Sequence, residues 1–511
     1  VPALLRSVAA LAGVLVLTAA ATARPPNVVV IFTDDHAYAA LSAYGDPRKL
    51  LSTPNLDRIA AGGTRFDRCL VPNSICGPSR ATVLTGKYSH ANGFLTNQRG
   101  RFDASQTTFP KLLQAAGYQT AVIGKWHLVS DPTGFDHWHI LPGQGVYYNP
   151  PMIRDGVRVK HAGYVTDIIT DLSLEWLKKR DPAKPFLLMC QHKAPHREWE
   201  PALRHLGHDG DRTYPEPATL FDDQAGRSSA IKSHDMSIAK TMTPRDLKLK
   251  PPPNLTDDQR QVWEAYYGPR NAAMTAKSLT GPDLLRWKYN RYLHDYLGCV
   301  KAVDESAGRV LDYLDAAGLA ENTIVVYASD QGFYLGEHGW FDKRWAFEES
   351  LRTPLLVRWP GVAKPGSTCP AITSTVDLAP TILEAAGVKL PAGLHGRSLK
   401  PLLQGETPTD WRTSFYYHYY ENPGPHDVPK HYGVITDRYK LLHFYEARHG
   451  YWELYDRQAD PTERTNVLGK PGYVEVEATL RAELARLRKE LAVPATDPVE
   501  VGPQPGDKGK R

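Results

Sequence analysis

Long apolar runs are nearly absent from this chain of 511 residues. The one candidate, at 8–17, falls short of the roughly 20 residues that a bilayer-spanning helix needs. Arg6 is the only charge ahead of it, and the small residues Ala21-Thr22-Ala23 follow, so 1–23 reads as a cleavable export signal. No membrane anchor is expected beyond it, and the mature protein is expected in a periplasm or outside the cell. Cysteine is scarce as well: five residues, an odd number, leave at least one thiol without a partner. Cys76 is the natural odd one, while Cys69, Cys190, Cys299 and Cys369 are either paired or all free and buried. Charge of one sign is also lacking. The 61 Lys and Arg against 56 Asp and Glu give a dispersed net +5, which excludes a nucleic-acid partner on charge grounds. The 42% hydrophobic and 23% charged content belongs to an ordinary globular chain, long enough for a large domain and a smaller one.

What is present is a set of buried strand patterns, each ending in chemistry. Asn27-Val28-Val29-Val30-Ile31-Phe32-Thr33 suits a parallel strand covered on both faces, and it ends in Asp34-Asp35-His36. Ligands of open α/β sheets collect beyond the carboxyl ends of strands, and two adjacent carboxylates there call for a positive partner such as Ca²⁺ or Mg²⁺. A second strand, 119–123, delivers Gly124-Lys125-Trp126-His127; residues two apart in extended chain face one side, so Lys125 and His127 are placed in one pocket. A third, 185–190, leads to Gln191-His192-Lys193-Ala194-Pro195-His196. A fourth, 323–328, leads to Ser329-Asp330-Gln331-Gly332, adding a carboxylate and an amide oxygen, with Lys343 following. Helices are expected at 107–116, 165–177 and 283–316, the last broken near Gly298 or Gly308, and 207–281 reads as a surface insertion with short helices.

The chain is organised around Cys76-Gly77-Pro78-Ser79-Arg80. Pro78 suits a helix start and Gly86 a stop, so Cys76 is expected just ahead of a helix N-terminus, where unpaired N–H groups favour anions and lower a thiol pKa. Arg80, one turn on, is expected to reach back to an oxyanion beside Cys76.

These five residues resemble the Cys-x-Pro-Ser-Arg signature of type I sulfatases. With the Asp34-Asp35, Lys125/His127, His196, Asp330-Gln331 and Lys343 segments, the resemblance runs from Asn27 to about Pro380. It implies an alkaline-phosphatase-like α/β fold: a large mixed, mostly parallel sheet flanked by helices, with a smaller C-terminal α+β subdomain. The expected divisions are a catalytic domain at 24–394, a subdomain at 395–496 holding an antiparallel sheet and one helix, and a disordered tail at 497–511. It also implies that Cys76 is converted to Cα-formylglycine by a formylglycine-generating or anaerobic maturation enzyme. Asp34, Asp35, Asp330, Gln331 and residue 76 would hold Ca²⁺, with Mg²⁺ the weaker alternative; this chain has Gln331 where many sulfatases carry Asn. Arg80, Lys125 and Lys343 would surround the sulfuryl charge. His196 would protonate the leaving alkoxide, alone or with Lys343, and His127 would release the sulfate, the reverse assignment of the two histidines being the alternative.

The run Asp330 to Lys343 is similar to bacterial N-acetylglucosamine-6-sulfatase-like carbohydrate sulfatases, which implies a sulfated sugar from mucin or glycosaminoglycan as substrate. His192, His418 and His431 are further substrate-binding candidates, with Tyr416, Tyr417 and Tyr420 available to stack on a sugar or pack the small sheet. The rival readings are a phosphate or phosphonate monoester hydrolase of the same superfamily, and a sulfated-glycan-binding protein should Cys76 remain a thiol.

Overall fold

The apolar run at the start of the described chain is the spine of the molecule. In the computed structural model, which describes residues 24–446 and 450–502, it forms β1 (Asn27–Thr33). The expected export signal lies outside the described residues. The strands that follow are β2 (Thr64–Leu70), β3 (Gln119–Lys125), β4 (His137–Leu141), β5 (Pro151–Arg154) and β6 (Val157–Lys160). They continue with β7 (Phe186–Gln191), β8 (Thr323–Ser329), β9 (Arg352–Arg358), β10 (Ser367–Cys369) and β11 (Thr373–Ser374). Together they make an 11-stranded sheet in the order β10-β2-β9-β8-β1-β7-β3-β4-β5-β6, with β11 also on β2. The central block β8-β1-β7-β3-β4 is wholly parallel, and antiparallel pairs enter only through β9, β5 and β6.

Burial on both faces explains the unbroken apolar sequence of β1. Val29 and Ile31 pack on the layer containing the helices Val165–Lys179 and Gly281–Ala316. Val28, Val30 and Phe32 point the other way, onto Val83 and Leu84 of the helix Cys76–Thr85 and Leu378 and Ile382 of the helix Leu378–Ala385.

Two helical expectations change. The helix Gly281–Ala316 runs unbroken through both glycines. They are required by close neighbours: a Cβ on Gly298 would sit 2.9 Å from Pro201 Cβ, and one on Gly308 2.5 Å from Asn55 Oδ1. The insertion holds a full helix, Asp257–Lys277, started by a Thr256–Gln259 capping box. Only Trp263 and Tyr267 of its residues are buried, so its apolar period is too thin to read from sequence.

The second sheet, β12 (Ser414–Tyr419), β13 (His431–Thr436), β14 (Tyr439–Phe444) and β15 (Tyr451–Asp456), is antiparallel and backed by the helix Val474–Glu490. β15 carried no clear sequence signal. The sheet shares one apolar core with Tyr334, Trp340, Trp345 and Phe347 of the segment after β8. Of the tail expected to be disordered, 503–511 lies outside the described residues; within 497–502, Asp497 accepts from Lys430 Nζ at 2.9 Å, and Glu500 accepts from the backbone N–H of Leu95 and Thr96 at 2.9 and 2.7 Å. All five cysteines are free and buried.

Asp377 fastens the two parts together. Its carboxylate is fully buried, accepts from Ser374 N and Arg397 N, and takes both Nη atoms of Arg412 at 2.5 and 2.7 Å. Removing one partner of such a pair strands the other charge. Asp377→Ala is therefore expected to lower unfolding stability by about 3–5 kcal/mol, read as a fall in the urea midpoint.

Candidate active site

The carboxyl ends of the parallel strands meet the start of the Cys76 helix. Consecutive residues of a strand face opposite sides, yet Asp34 and Asp35 serve one site. The chain leaves β1 with Asp35 at φ 67°, and this left-handed turn breaks the alternation. Asp330, at the end of the adjacent β8, accepts from the N–H groups of Asp35 and Gln331, each at 3.1 Å. Ligand atoms of Asp34, Asp35 and Asp330 lie within 4.8 Å of one another, as do those of Asp34, Cys76 and His196. Residues from three strand ends and one helix are thereby brought together, all of them within the reach the sequence required.

Three buried cations answer the three carboxylates. Lys125 Nζ rests on Asp34 Oδ2 and also reaches Gln144 Oε1 at 2.6 Å. Lys343 Nζ lies 2.8 Å from Asp35 Oδ2. Burial opposes the Lys343 charge, but Asp35, Cys76 and Asp342 overcome it and hold the ammonium protonated. Burial also pushes the Asp35 carboxyl up to about 6, Lys343 pulling the other way and Asp330 and Asp342 adding repulsion.

Arg80 does something other than expected. Its Nε and Nη2 grip Asp330 Oδ2 at 3.1 and 2.9 Å, and Nη1 reaches Lys125 O at 3.0 Å and Gln191 Oε1 at 2.9 Å. With Thr33 O at 3.4 Å from Nη2, its five donors are engaged, so Arg80 orients Asp330 and has no donor free for an oxyanion. Ser79 donates to Asp330 O, a second tie from the same helix to β8.

The Cys76 thiol also departs from expectation. Cys76 is the first residue of its helix and is buried, and burial pushes its pKa up to about 12 despite Lys343 and Arg80 nearby. Desolvation of the thiolate outweighs the helix terminus, which leaves a neutral thiol, a weak nucleophile.

Two histidines stand beside these groups. His196 Nδ1 is 2.6 Å from Arg197 O, so this nitrogen carries the proton and Nε2 faces Asp35 Oδ2 at 3.7 Å. Tyr147 OH fixes the same residue through His196 O at 2.6 Å. His127 leaves β3 at φ 57°, and its buried Nδ1 has no hydrogen-bond partner among the described residues. Burial, then Lys125 and other cations, holds both imidazoles well below their ordinary pKa.

The carboxylates and Gln331 have the donor set for a hard cation, and the orphaned atoms agree. Among the described residues Asp34 Oδ1 and Gln331 Oε1 are buried without a hydrogen-bond partner, while Gln331 Nε2 donates to Asp35 Oδ1 at 2.5 Å. Buried acceptors left unpaired are costly, and a cation among these oxygens removes that cost.

The pocket above has a volume of about 300 Å³. Besides Asp35, Cys76, His127, His196 and Lys343, its lining includes Arg197, Asp342, Arg344, Glu421 and His426. Arg344 pairs with Glu421 at 3.1 Å, and His426 bridges Asp342 and Asp235 at 3.0 and 2.7 Å. No periodic pattern marks these loop residues; the one available clue was the adjacency of Asp342 and Arg344 to Lys343.

Three candidates lie elsewhere. His192 is under the sheet, its Nε2 3.0 Å from Ser306 Oγ and 3.6 Å from Cys190 Sγ. His418 stacks on Tyr420 at 3.7 Å and bonds Tyr416 OH at 2.8 Å, and His431 packs against Trp345 and Phe444 with Nδ1 on Pro429 O. None of the three lines the pocket: His192 is taken up between the large sheet and the helix carrying Ser306, and the rings of His418 and His431 pack within the small sheet. Tyr416, Tyr417 and Tyr420 are likewise buried core residues.

Comparison with known proteins places the chain in a family. The Sulfatase family profile matches residues 26–388, and the profile described as N-sulphoglucosamine sulphohydrolase, C-terminal, matches 336–490. An N-acetylglucosamine-6-O-sulfatase of Bacteroides thetaiotaomicron is 49% identical, over 91% of this chain and 86% of that protein. A structure solved in complex with its substrate D-glucosamine-2-N,6-O-disulfate superimposes with a TM-score of 0.91 at 48% identity, covering 93% of this chain and 100% of the other. A phosphonate monoester hydrolase from Silicibacter pomeroyi shares the fold alone, with a TM-score of 0.69 at 22% identity over 92% of this chain and 96% of that one. Among the described residues no helix is long and apolar enough to cross a membrane. With the strand-end carboxylates and the Cys76 helix in one pocket and the family profile spanning most of the sequence, this chain belongs to the sulfatase family, the sulfate-ester hydrolases of alkaline-phosphatase-like fold.

Proposed function

We propose that this sulfatase removes the 6-O-sulfate of N-acetylglucosamine or a related N-substituted glucosamine, acting as an exported enzyme on glycosaminoglycan or mucin fragments. The relative named as an N-acetylglucosamine-6-O-sulfatase and the D-glucosamine-2-N,6-O-disulfate complex support the sugar. The observation that carries the reading is the meeting of Asp34, Cys76 and His196 within 4.8 Å at the floor of the pocket.

Cys76 would act as formylglycine after oxidation by a maturation enzyme; the neutral, buried thiol supports a requirement for that conversion. Asp34, Asp35, Asp330 and Gln331 would hold Ca²⁺, favoured over Mg²⁺ because the donors are protein oxygens, whereas Mg²⁺ keeps several waters. When bound, the cation offsets charge on the sulfuryl oxygens, and the formylglycine hydrate supplies the attacking oxygen. Lys343, held protonated, and Lys125 are placed to bind sulfate oxygens. His196 is assigned the acid on position: its Nδ1 is fixed by Arg197 O, which leaves Nε2, 3.7 Å from Asp35 Oδ2, to carry the proton given to the alkoxide. His127, crowded by Lys125, Arg80 and Lys343, suits the base that accepts a proton as sulfate departs.

A paired assay tests the reaction. The sulfate ester of a phenol is expected to be hydrolysed much faster than its phosphate ester, and the active fraction to track the replacement of CH₂SH by CHO at residue 76 in peptide mass spectra. Faster phosphate cleavage, or turnover by a fully unmodified thiol, would overturn the reading.

His196→Ala is expected to slow sugar 6-sulfate hydrolysis by about 10²–10⁴-fold but to spare an aryl sulfate with a good leaving group. Equal losses on both substrates would point to His127 or a structural role.

Chelation should abolish turnover and lower the unfolding temperature, and Ca²⁺ should restore both. At a hundredfold excess over Kd the cation should stabilise the fold by about 2.7 kcal/mol.

A further inference from the structure

The helices Asp257–Lys277 and Gly281–Ala316 enclose a second cavity that shares no lining residue with the catalytic pocket. Its volume is about 400 Å³, inside the roughly 300–1,000 Å³ usual for small-molecule sites. Arg291 lines it and is 8% exposed. Its guanidinium is held 5.1 Å from the ring centre of Tyr267 and 5.2 Å from that of Trp287. Among the described residues one of its N–H groups has an acceptor, Leu247 O at 3.4 Å, which leaves most of its donor capacity unspent.

Asp295, one turn further along the same helix, lines the cavity and is 2% exposed. Its Oδ1 accepts from Tyr267 OH at 2.5 Å, while Oδ2, shut off from the cavity and without a hydrogen bond among the described residues, lies 3.6 Å from Lys248 Nζ, its charge partner. Opposite, Arg270 lies flat over Tyr266 at 3.9 Å and pairs with Asp211 at 3.2 Å. The unspent donors of Arg291, on a side chain more than nine-tenths buried, ask for anionic oxygens, and the Asp295 carboxylate beside them favours a ligand that also carries hydroxyl groups. A bare anion would meet Asp295 unfavourably. A sulfated sugar offers anionic oxygens to the guanidiniums, hydroxyl donors to Asp295 and an apolar ring face to Trp287.

We propose that this cavity is a second saccharide subsite, binding a sulfated sugar unit through Arg291, Arg270, Asp295 and Trp287. The sugar class rests on the carbohydrate reading above. The site adjoins the catalytic pocket through one short segment. Leu247 O accepts from Arg291, while the preceding Asp246 grips Arg197 of the catalytic pocket at 2.6 and 2.8 Å.

The test uses the full-length, Ca²⁺-loaded protein made unable to turn over by Cys76→Ala, titrated with N-acetylglucosamine 6-sulfate by calorimetry and tryptophan fluorescence. A binding event weakened at least tenfold by adding Trp287→Ala is expected; should that variant fail to fold, Arg270→Ala decides instead. Binding that matches the Cys76→Ala parent in the deciding variant overturns the inference. So does inorganic sulfate binding there as tightly as the sugar, which would make the cavity a plain anion site. Turnover of the sugar by unsubstituted enzyme without a Trp287-dependent event would sink this subsite and leave the activity standing. Such an event without turnover would do the reverse.

Discussion

Everything in the catalytic half of the molecule answers one electrostatic demand: Asp34, Asp35 and Asp330 are fully buried within a few ångströms of each other. Carboxylates this close repel strongly where water is excluded, and they persist only with compensating charge. The compensation comes from Lys125, Lys343 and Arg80, each from a different part of the chain. The same concentration of charge sets carboxylate oxygens and ammonium groups side by side at one pocket.

Arg80 illustrates how the demand divides labour. A guanidinium with every donor occupied is a fastener, and it locks the Cys76 helix to β8 through Asp330. Lys343, His127 and His196, by contrast, line the pocket itself. Desolvation works alongside this. It raises the pKa of the thiol and lowers that of both imidazoles, so these groups favour their neutral forms.

The small sheet contributes a wall. Its aromatic side chains are spent in the core it shares with Trp340, Trp345 and Phe347, while the loop after β12 sends Glu421 and His426 to the pocket rim. There they meet Arg344, Asp342 and Asp235 of the insertion. Three stretches far apart in sequence thus close around the mouth above Cys76.

The sequence by itself determined the central strands, the order in which reactive groups follow them, and the family. Each buried parallel strand needs a continuous apolar run, and such a run marks its own carboxyl end, where Asp34, Lys125 and Asp330 stand. Residues 27–33 and 323–329 show this with little ambiguity. Only the tertiary structure decided what depends on burial and on partners from elsewhere: that Arg80 serves Asp330, that the Cys76 thiol is raised in pKa, and that His192, His418 and His431 are packing residues. It also decided the pocket rim, since Arg197, Glu421 and His426 come from irregular loops that carry no period. A side chain's type is written locally, but its charge state and its free atoms are set by what the rest of the chain folds against it.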